Sequence, residues 1–246
     1  MKLRNLRLIK QRGFTLLEMM VSLLILGIVT GAVFSLMGTA QQRMTTEQAK
    51  VDDFQQARDF VDQFFRDINQ VGDPNIRMFD QTKIAFLAPL MNDSRLAVGL
   101  VKIDNNAIAF EGSVNGIGTV QSLQYMINGS GTCALCLQRS QVDKANGNPW
   151  GQATNWGTEV NDVQSNPIFK YYDVNGNLIG GLPVDISTAA GAQTIANIKT
   201  IQISLRIQNP AIVDEKTRQP IESVFEGLVS LNNCSIAVNG QPMSCQ

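Results

Sequence analysis

The chain has 246 residues, of which 44% are hydrophobic and 17% charged, a balance typical of neither a disordered chain nor a polytopic membrane protein. Its formal net charge of −1 provides no basic footprint, so we expect no nucleic acid among its partners. The sequence contains no histidine, which excludes Ser-His-Asp and Cys-His catalysis and His-ligated zinc. We therefore expect no enzymatic activity and no cofactor.

Residues 1–13 form a basic leader. The stretch contains five Lys or Arg residues and no acid. Because the whole chain has a net charge of −1, subtracting these five positive charges leaves a net charge of −6 on the rest of the chain. By the positive-inside rule, such a leader stays in the cytoplasm. We therefore expect the residues beyond the next apolar segment to lie on the opposite side of a membrane.

An apolar run of about 24 residues begins after Gly13 and extends to Met37, and about 20 residues suffice to cross a bilayer core. Glu18 is its only charged residue, and an acid within a membrane segment is a candidate functional residue. The alternative is that Glu18 has no function of its own and that its side chain is protonated or extends to the membrane surface. A secretory signal peptide is disfavoured because its apolar region has roughly 7–15 residues. A plain signal anchor explains the length and the flanking charge, but not the sequence around Glu18.

The string Arg12-Gly13-Phe14-Thr15-Leu16-Leu17-Glu18, between the leader and the apolar run, resembles the type III prepilin signal of type IV pilins and type II secretion pseudopilins. The resemblance implies that a prepilin peptidase cuts after Gly13 and methylates the new N-terminal Phe14. It also implies that Glu18 is the family's glutamate of the first helical turns. The apolar segment then stays on the mature protein, where it contacts the inner membrane and other major and minor pilins.

The predicted cut exposes a new α-amine at the edge of the membrane. In a fibre of packed helices, Glu18 of one subunit can pair with the Phe14 amine of a neighbour. Removing one partner of a buried ion pair costs about 3–5 kcal/mol. We therefore predict that this pair sets the axial register of assembled subunits.

The helical pattern continues beyond the membrane segment. After residue 41, apolar residues recur mostly three, four or seven positions apart, with charged residues between them, which indicates an amphipathic helix. Gly72, followed by Asp73-Pro74, is a typical helix stop. We predict a long N-terminal helix in segment 14–72, which spans the membrane over about 14–38 and is amphipathic afterwards.

Segment 73–246 is predicted to be a mostly β periplasmic head, which makes the fold class α+β with the long helix packed on an antiparallel sheet. The candidate strands are 83–87, 96–103, 107–110, 120–127, 136–139, 168–172, 198–207 and 224–231. The polar stretch 140–167 is predicted to be a long surface loop. Segment 173–177 resembles the start of a calcium loop but lacks the glycine and glutamate of that motif, so we predict a hairpin turn.

Parts of the head resemble the PilW-like minor pilins and the J-type minor pseudopilins. The similar stretches are 56–68, 168–177, 198–205 and the strand that leads to Leu231-Asn232-Asn233. The resemblance implies a non-enzymatic minor pilin that helps to initiate or cap a type IV pilus. The nearest alternative is a minor pseudopilin of a type II secretion system, in a periplasmic pseudopilus. A further alternative is a tip-exposed adhesin, which the two tryptophans in the 140–167 stretch favour weakly.

All four cysteines, Cys133, Cys136, Cys234 and Cys245, lie in the predicted exported part. An even number in an oxidising compartment predicts disulfide bonds, with three connectivities open. The resemblance implies that Cys234 and Cys245 close a C-terminal loop, which leaves Cys133 and Cys136 to pair locally. A four-thiolate zinc site and a redox Cys-x-x-Cys motif are the alternatives, both disfavoured by the spacing or the strand context.

Overall fold

The structure is a computed structural model that describes residues 13–116, 118–128, 135–148, 154–164, 167–213 and 218–231. Its contacts divide the chain into two units, Met1–Gln48 and Ala49–Gln246. The first helix, α1 (Leu16–Asn69), contributes its N-terminal half to the first unit and its C-terminal half to the second.

The first unit consists of the N-terminal half of α1, where every side chain from residue 13 to 45 is exposed. Its Ser and Thr hydroxyls donate to backbone carbonyls one turn earlier: Ser22 to Glu18 at 2.7 Å and Thr30 to Leu26 at 2.7 Å. These bonds satisfy the hydroxyls within the helix, as a lipid environment requires. By length and composition, this helix is able to cross a membrane.

In the second unit, α1 buries the stripe Ala57, Phe60, Phe64 and Ile68, whose members lie three or four positions apart. The buried part of the predicted amphipathic stretch begins at Ala57, whereas Met44, Val51 and Phe54 earlier in it are exposed. The helix ends at Asn69, slightly before the predicted end, because the following residues tighten the last turn and then pair with a strand. Gly72 has a left-handed φ of +76° and donates its N–H to the carbonyl of Glu111 at 2.9 Å.

Among the described residues, the rest of this unit comprises two antiparallel sheets, one short α-helix and two 3-10 turns, Ile76–Met78 and Leu90–Asn92. The strands are β1 (Leu100–Ile103), β2 (Ala107–Gly112), β3 (Gln121–Asn128), β4 (Cys136–Asp143), β5 (Gly157–Val160), β6 (Phe169–Asp173), β7 (Val184–Asp185), β8 (Ile198–Val213) and β9 (Pro220–Ser230), and the short helix is α2 (Ala189–Ala196). One sheet has the order β5-β4-β3-β2-β1-β7 and the other β6-β8-β9. The predicted α+β class is confirmed, with two sheets in place of one.

The core lies where α1 meets both sheets. Phe64 is fully buried, and its ring centroid lies 5.5 Å from that of Tyr125 on β3 and 5.4 Å from that of Phe169 on β6. Aromatic pairs at these separations contribute about 0.5–1.5 kcal/mol beyond the burial of their area. On β9, a Cβ added to Gly227 would lie 2.4 Å from Cζ of Phe65, so a larger residue there would require the Phe65 ring to move.

One predicted strand and one predicted loop are wrong. Segment 83–87 forms no strand, because side chains hold its backbone: Leu87 donates its N–H to Asp93, and the Arg95 guanidinium donates to the carbonyl of Ala85. The 140–167 stretch is not a continuous loop, since it contains the end of β4 and the whole of β5. The turn at 173–177 is confirmed, because a bridge between Tyr172 and Leu178 closes it as a hairpin.

Candidate processing and assembly site

The predicted cleavage site lies directly before the first helical residue. Gly13, Phe14 and Thr15 have no regular secondary structure, and α1 begins at Leu16. The Phe14 side chain is exposed. The Gly13–Phe14 peptide bond is therefore in non-helical, exposed backbone, the form in which a peptidase can bind a chain as an extended segment.

Thr15 and Glu18 cap the start of the helix reciprocally. The backbone N–H of Glu18 donates to the Thr15 hydroxyl at 3.3 Å, and the backbone N–H of Thr15 donates to Oε2 of Glu18 at 3.4 Å. The Thr15 hydroxyl also lies 3.4 Å from the same carboxylate oxygen. This is the capping-box arrangement, although its distances are near the long limit of a hydrogen bond.

The capping box changes the interpretation of Glu18. From the sequence alone, we assigned its carboxylate a partner only in a neighbouring subunit, whereas the structure shows a partner three residues earlier in the same chain. A carboxylate in the first turn also interacts favourably with the helix dipole. The sequence reasoning missed Thr15, and the Thr-x-x-Glu spacing before an apolar run was the signal that could have found it.

The second unit contains a buried polar cluster whose members lie far apart in the sequence. Tyr125 donates its hydroxyl to Oδ2 of Asp67 at 2.5 Å, and Arg139 donates to the same oxygen at 2.9 Å. Gln63 donates to Oδ1 of Asp67 at 2.7 Å. Burial, followed by the negative charge of Asp67, raises the pKa of Tyr125 well above its usual value. The cluster fastens α1 to β3 and β4 in the second unit.

Glu111 and Lys144 form a second buried ion pair, and both side chains are completely inaccessible to solvent. Lys144 Nζ donates to Oε2 of Glu111 at 2.7 Å, and the backbone N–H of Val98 donates to the same oxygen at 3.0 Å. Oε1 of Glu111 has no hydrogen-bond partner among the described residues. Burial raises the pKa of Glu111 to about 7, against the opposing effect of the Lys144 charge.

A polar groove of about 490 Å³ runs beside the Asp67 cluster. Asp59 and Arg66 of α1, Arg139 of β4 and Glu159 of β5 contribute to its lining. Burial raises the pKa of Glu159, with the charge of Arg139 acting in the opposite direction. Within the described ranges, no group of three or more Cys, Asp and Glu side chains is placed to hold a metal ion.

Of the cysteines, the described ranges contain only Cys136, at the start of β4. Its sulfur takes part in a disulfide bond. Cys133, Cys234 and Cys245 lie outside the described residues. The pairing of the four cysteines therefore stays a prediction.

Comparison with known protein families identifies one motif. Residues 8–34 match the model of the prokaryotic N-terminal methylation motif. The matched stretch includes Gly13, Phe14, Thr15 and Glu18, and it supports a type IV pilin-like protein that carries a prepilin signal. Such a motif implies processing by prepilin peptidase, membrane anchoring and association with pilins. Neither the curated proteins nor the solved structures contain a match to the chain.

Proposed function

We propose that this chain is a non-enzymatic minor pilin, which helps to initiate or cap a type IV pilus. The observation that carries the proposal is the methylation motif at residues 8–34, placed on the start of an exposed apolar helix. In this proposal the leader lies in the cytoplasm and the head in the periplasm until the subunit enters a pilus. Peptidase cleavage after Gly13 and methylation of Phe14 produce the mature chain.

Exposure of the N-terminal helix supports the assembly role. Its apolar side chains bury nothing within the subunit, so lipid or neighbouring helices must cover them. Helices of the same kind from other pilins provide such a surface once the subunit leaves the bilayer. The head, in contrast, has its own core and needs no partner to bury its apolar stripe.

Glu18 is proposed to act in two successive environments. In the single subunit, its carboxylate caps the helix through the backbone N–H of Thr15. In the assembly, the α-amine of a neighbour's Phe14 becomes a stronger, charge-assisted donor to the same carboxylate. Because one carboxylate can accept from both donors, the capping contact can hold the side chain in place for the incoming amine.

The test is complementation of a deletion strain, scored for surface pili and separately for protein secretion. We expect the unsubstituted chain to restore pili. Glu18→Ala and Glu18→Gln should reduce fibre number per cell while the amount of mature protein in the membrane is unchanged. Ser22→Ala is the matched control, because it removes another polar group one turn along the same helix.

Two outcomes would redirect this proposal. Normal piliation with Glu18→Ala, at unchanged protein level, would show that the carboxylate is not an assembly contact. Restoration of secretion without any effect on pili would make the chain a minor pseudopilin of a type II secretion system, the alternative that shares the N-terminal motif.

We also propose that Cys133, Cys136, Cys234 and Cys245 form two disulfide bonds. The periplasm is an oxidising compartment, which supports this pairing over zinc ligation. Thiol titration of the denatured protein, isolated with rapid alkylation, should find no free thiol. Four free thiols together with stoichiometric zinc would establish the metal site instead.

A further inference from the structure

The polar groove of about 490 Å³ beside α1 continues into a second cavity. This cavity of about 460 Å³ shares Gln63, Arg66 and Val114 with the first and extends to Gln70. The joint lining therefore runs along α1 from Gln56 to Gln70, which is about 21 Å at the 1.5 Å rise per residue of a helix. An extended peptide of about six residues has the same length.

Glu159 of β5 places a carboxylate in this groove that has no direct partner. Its side chain is partly buried, and it makes no hydrogen bond or ion pair with any residue that the structure describes. The charge of Arg139 acts on it, but the Arg139 guanidinium donates to Asp67 and to the Tyr125 hydroxyl. Because a carboxylate withdrawn from water without a donor is unfavourable, this position favours a ligand that brings one.

Further acceptors are open on the other two walls. Gln141 of β4 donates its Nε2 to Oε1 of Gln121 at 2.7 Å, and within the described ranges its own Oε1 accepts from no donor. Asp59 of α1 lines the groove and is exposed. Gln63, in contrast, is occupied at both ends, since it donates to Asp67 and accepts from Arg66. A ligand with several donors along its length would therefore find acceptors on α1, β4 and β5.

The charges of the groove disfavour anions. The described lining contains three acids and two arginines, a net charge of −1: Asp59, Asp67 and Glu159 against Arg66 and Arg139. A sugar ring would find no aromatic surface for stacking, because Phe60, the aromatic residue of the described lining, is only 1% exposed. The complementary ligand is therefore a basic one.

We propose that this groove binds an extended segment of another protein through an arginine side chain. The planar guanidinium can donate two parallel hydrogen bonds to the carboxylate of Glu159. The backbone N–H groups of the same segment then have Asp59 and Gln141 as acceptors further along the groove. The proposal adds a partner site to the head and does not depend on the proposed function.

The experiment compares two peptides for binding to the full-length protein in non-ionic detergent micelles, followed by nuclear magnetic resonance. One peptide has arginine at its centre, flanked on each side by glycine and serine, and the other has citrulline there, which keeps the shape of arginine without its charge. We expect saturable shifts of the amide signals of residues 158–160 with the arginine peptide, with a Kd on the order of 1 mM. The citrulline peptide should bind at least about tenfold more weakly.

A matched pair of variants locates the contact. Glu159→Gln removes the charge and keeps the shape, and it should weaken binding of the arginine peptide at least about fivefold. Glu226→Gln makes the same change on β9, outside the described lining, and should bind the peptide as the unsubstituted protein does. The single residue N-acetyl-arginine amide should bind at least about threefold more weakly than the peptide, because it lacks the backbone groups of a segment.

Four results would overturn the proposal. The first is the absence of saturable shifts up to about 20 mM arginine peptide. The second is equal binding of the arginine and citrulline peptides, and the third is equal binding to the unsubstituted protein and to Glu159→Gln. The fourth is equal affinity for the peptide and for N-acetyl-arginine amide, which would reduce the site to one for a single cation. If Glu159→Gln does not fold, the peptide comparisons on the unsubstituted protein still decide.

Discussion

The two halves of helix α1 have opposite relationships to the rest of the chain. In the half before residue 49, apolar side chains such as Phe34 are exposed, and the hydroxyls bond to the helix's own backbone. In the half that follows, Phe60 and Phe64 are buried against two sheets. One continuous helix thus contains a segment that needs an external apolar environment and a segment whose environment the chain supplies.

The difference shows that the spacing of apolar residues indicates a core-facing side in one half of the helix but not in the other. In the second half, the stripe at three- and four-residue spacing marks the face that contacts the core. In the first half, apolar residues surround the helix as far as Met37, and Glu18 is the single charged residue of that segment. The stability of the head should therefore be independent of the first half, and processing should depend on the first half alone.

The largest expected effect is on processing. Gly13→Asp should leave all of the protein as a membrane-bound precursor with its leader, because the peptidase can no longer accept the residue before the cut. Mass spectrometry should find N-methyl-Phe14 in the unsubstituted protein. Gly31→Ala, at a position with open space for a Cβ, should be processed normally. A mature N-terminus at Gln41 would contradict the prediction and indicate a secretory signal peptide.

A pair of phenylalanine substitutions should separate the two halves of the helix. Phe64→Ala removes a fully buried ring and should lower the free energy of unfolding of the head by about 3–5 kcal/mol. Phe34→Ala, at a side chain that is 68% exposed, should leave it unchanged. The measurement is denaturant unfolding of the full-length protein in micelles, followed by near-ultraviolet circular dichroism. An equal loss from both variants would mean that the halves unfold together.

The buried acid of the head should make its stability depend on pH. The pKa of Glu111 is raised from about 4.5 to about 7, so its contribution to stability is complete below 4.5 and is lost as the pH rises through 7. The loss should be about 3 kcal/mol over this range. Burial lowers the pKa of Lys144, with the charge of Glu111 acting in the opposite direction. In Glu111→Gln, the free energy of unfolding, measured by denaturant titration at each pH, should change less between pH 4.5 and 7. An unchanged slope of this free energy against pH would show that another group titrates.

The smallest effect is expected at the helix start. Thr15→Ala removes the capping hydroxyl and should cost about 0.5 kcal/mol of local helix stability, since the capping bonds are long. Hydrogen exchange of the amides of Leu17 and Glu18 should become about twofold faster. Thr15→Ser keeps the hydroxyl and should exchange as the unsubstituted protein does. Equal exchange in all three proteins would mean that these contacts contribute nothing in micelles.

Local patterns made the N-terminal region predictable from the sequence. The prepilin signal, the apolar run and the amphipathic stripe each depend on residues close together in the chain. The alternating residues Ile201, Ile203 and Leu205 likewise identified β8. The capping box was equally local, and it was missed only because Glu18 was considered a partner for another subunit.

What could not be predicted depends on contacts distant in sequence. Strand β7 has two residues, and it exists because it pairs with β1, about 80 residues earlier. Helix α2 has only eight residues, four of them alanine, which is too short for a clear apolar periodicity, and Thr188 caps its start. The Asp67–Arg139 pair joins residues 72 positions apart. Sequence periodicity contains no information about such pairings.

The hydroxyl bonds within the N-terminal half of α1 have a mechanical consequence. Ser22, Thr30 and Thr39 donate their hydroxyl protons to their own backbone, so these protons are not available to donate to neighbouring helices. Association of such helices then depends on the van der Waals fit of their apolar side chains. In the proposed assembly, the carboxylate of Glu18 would then be the one charged group of the apolar segment 14–37 that could fix one helix against another along the axis.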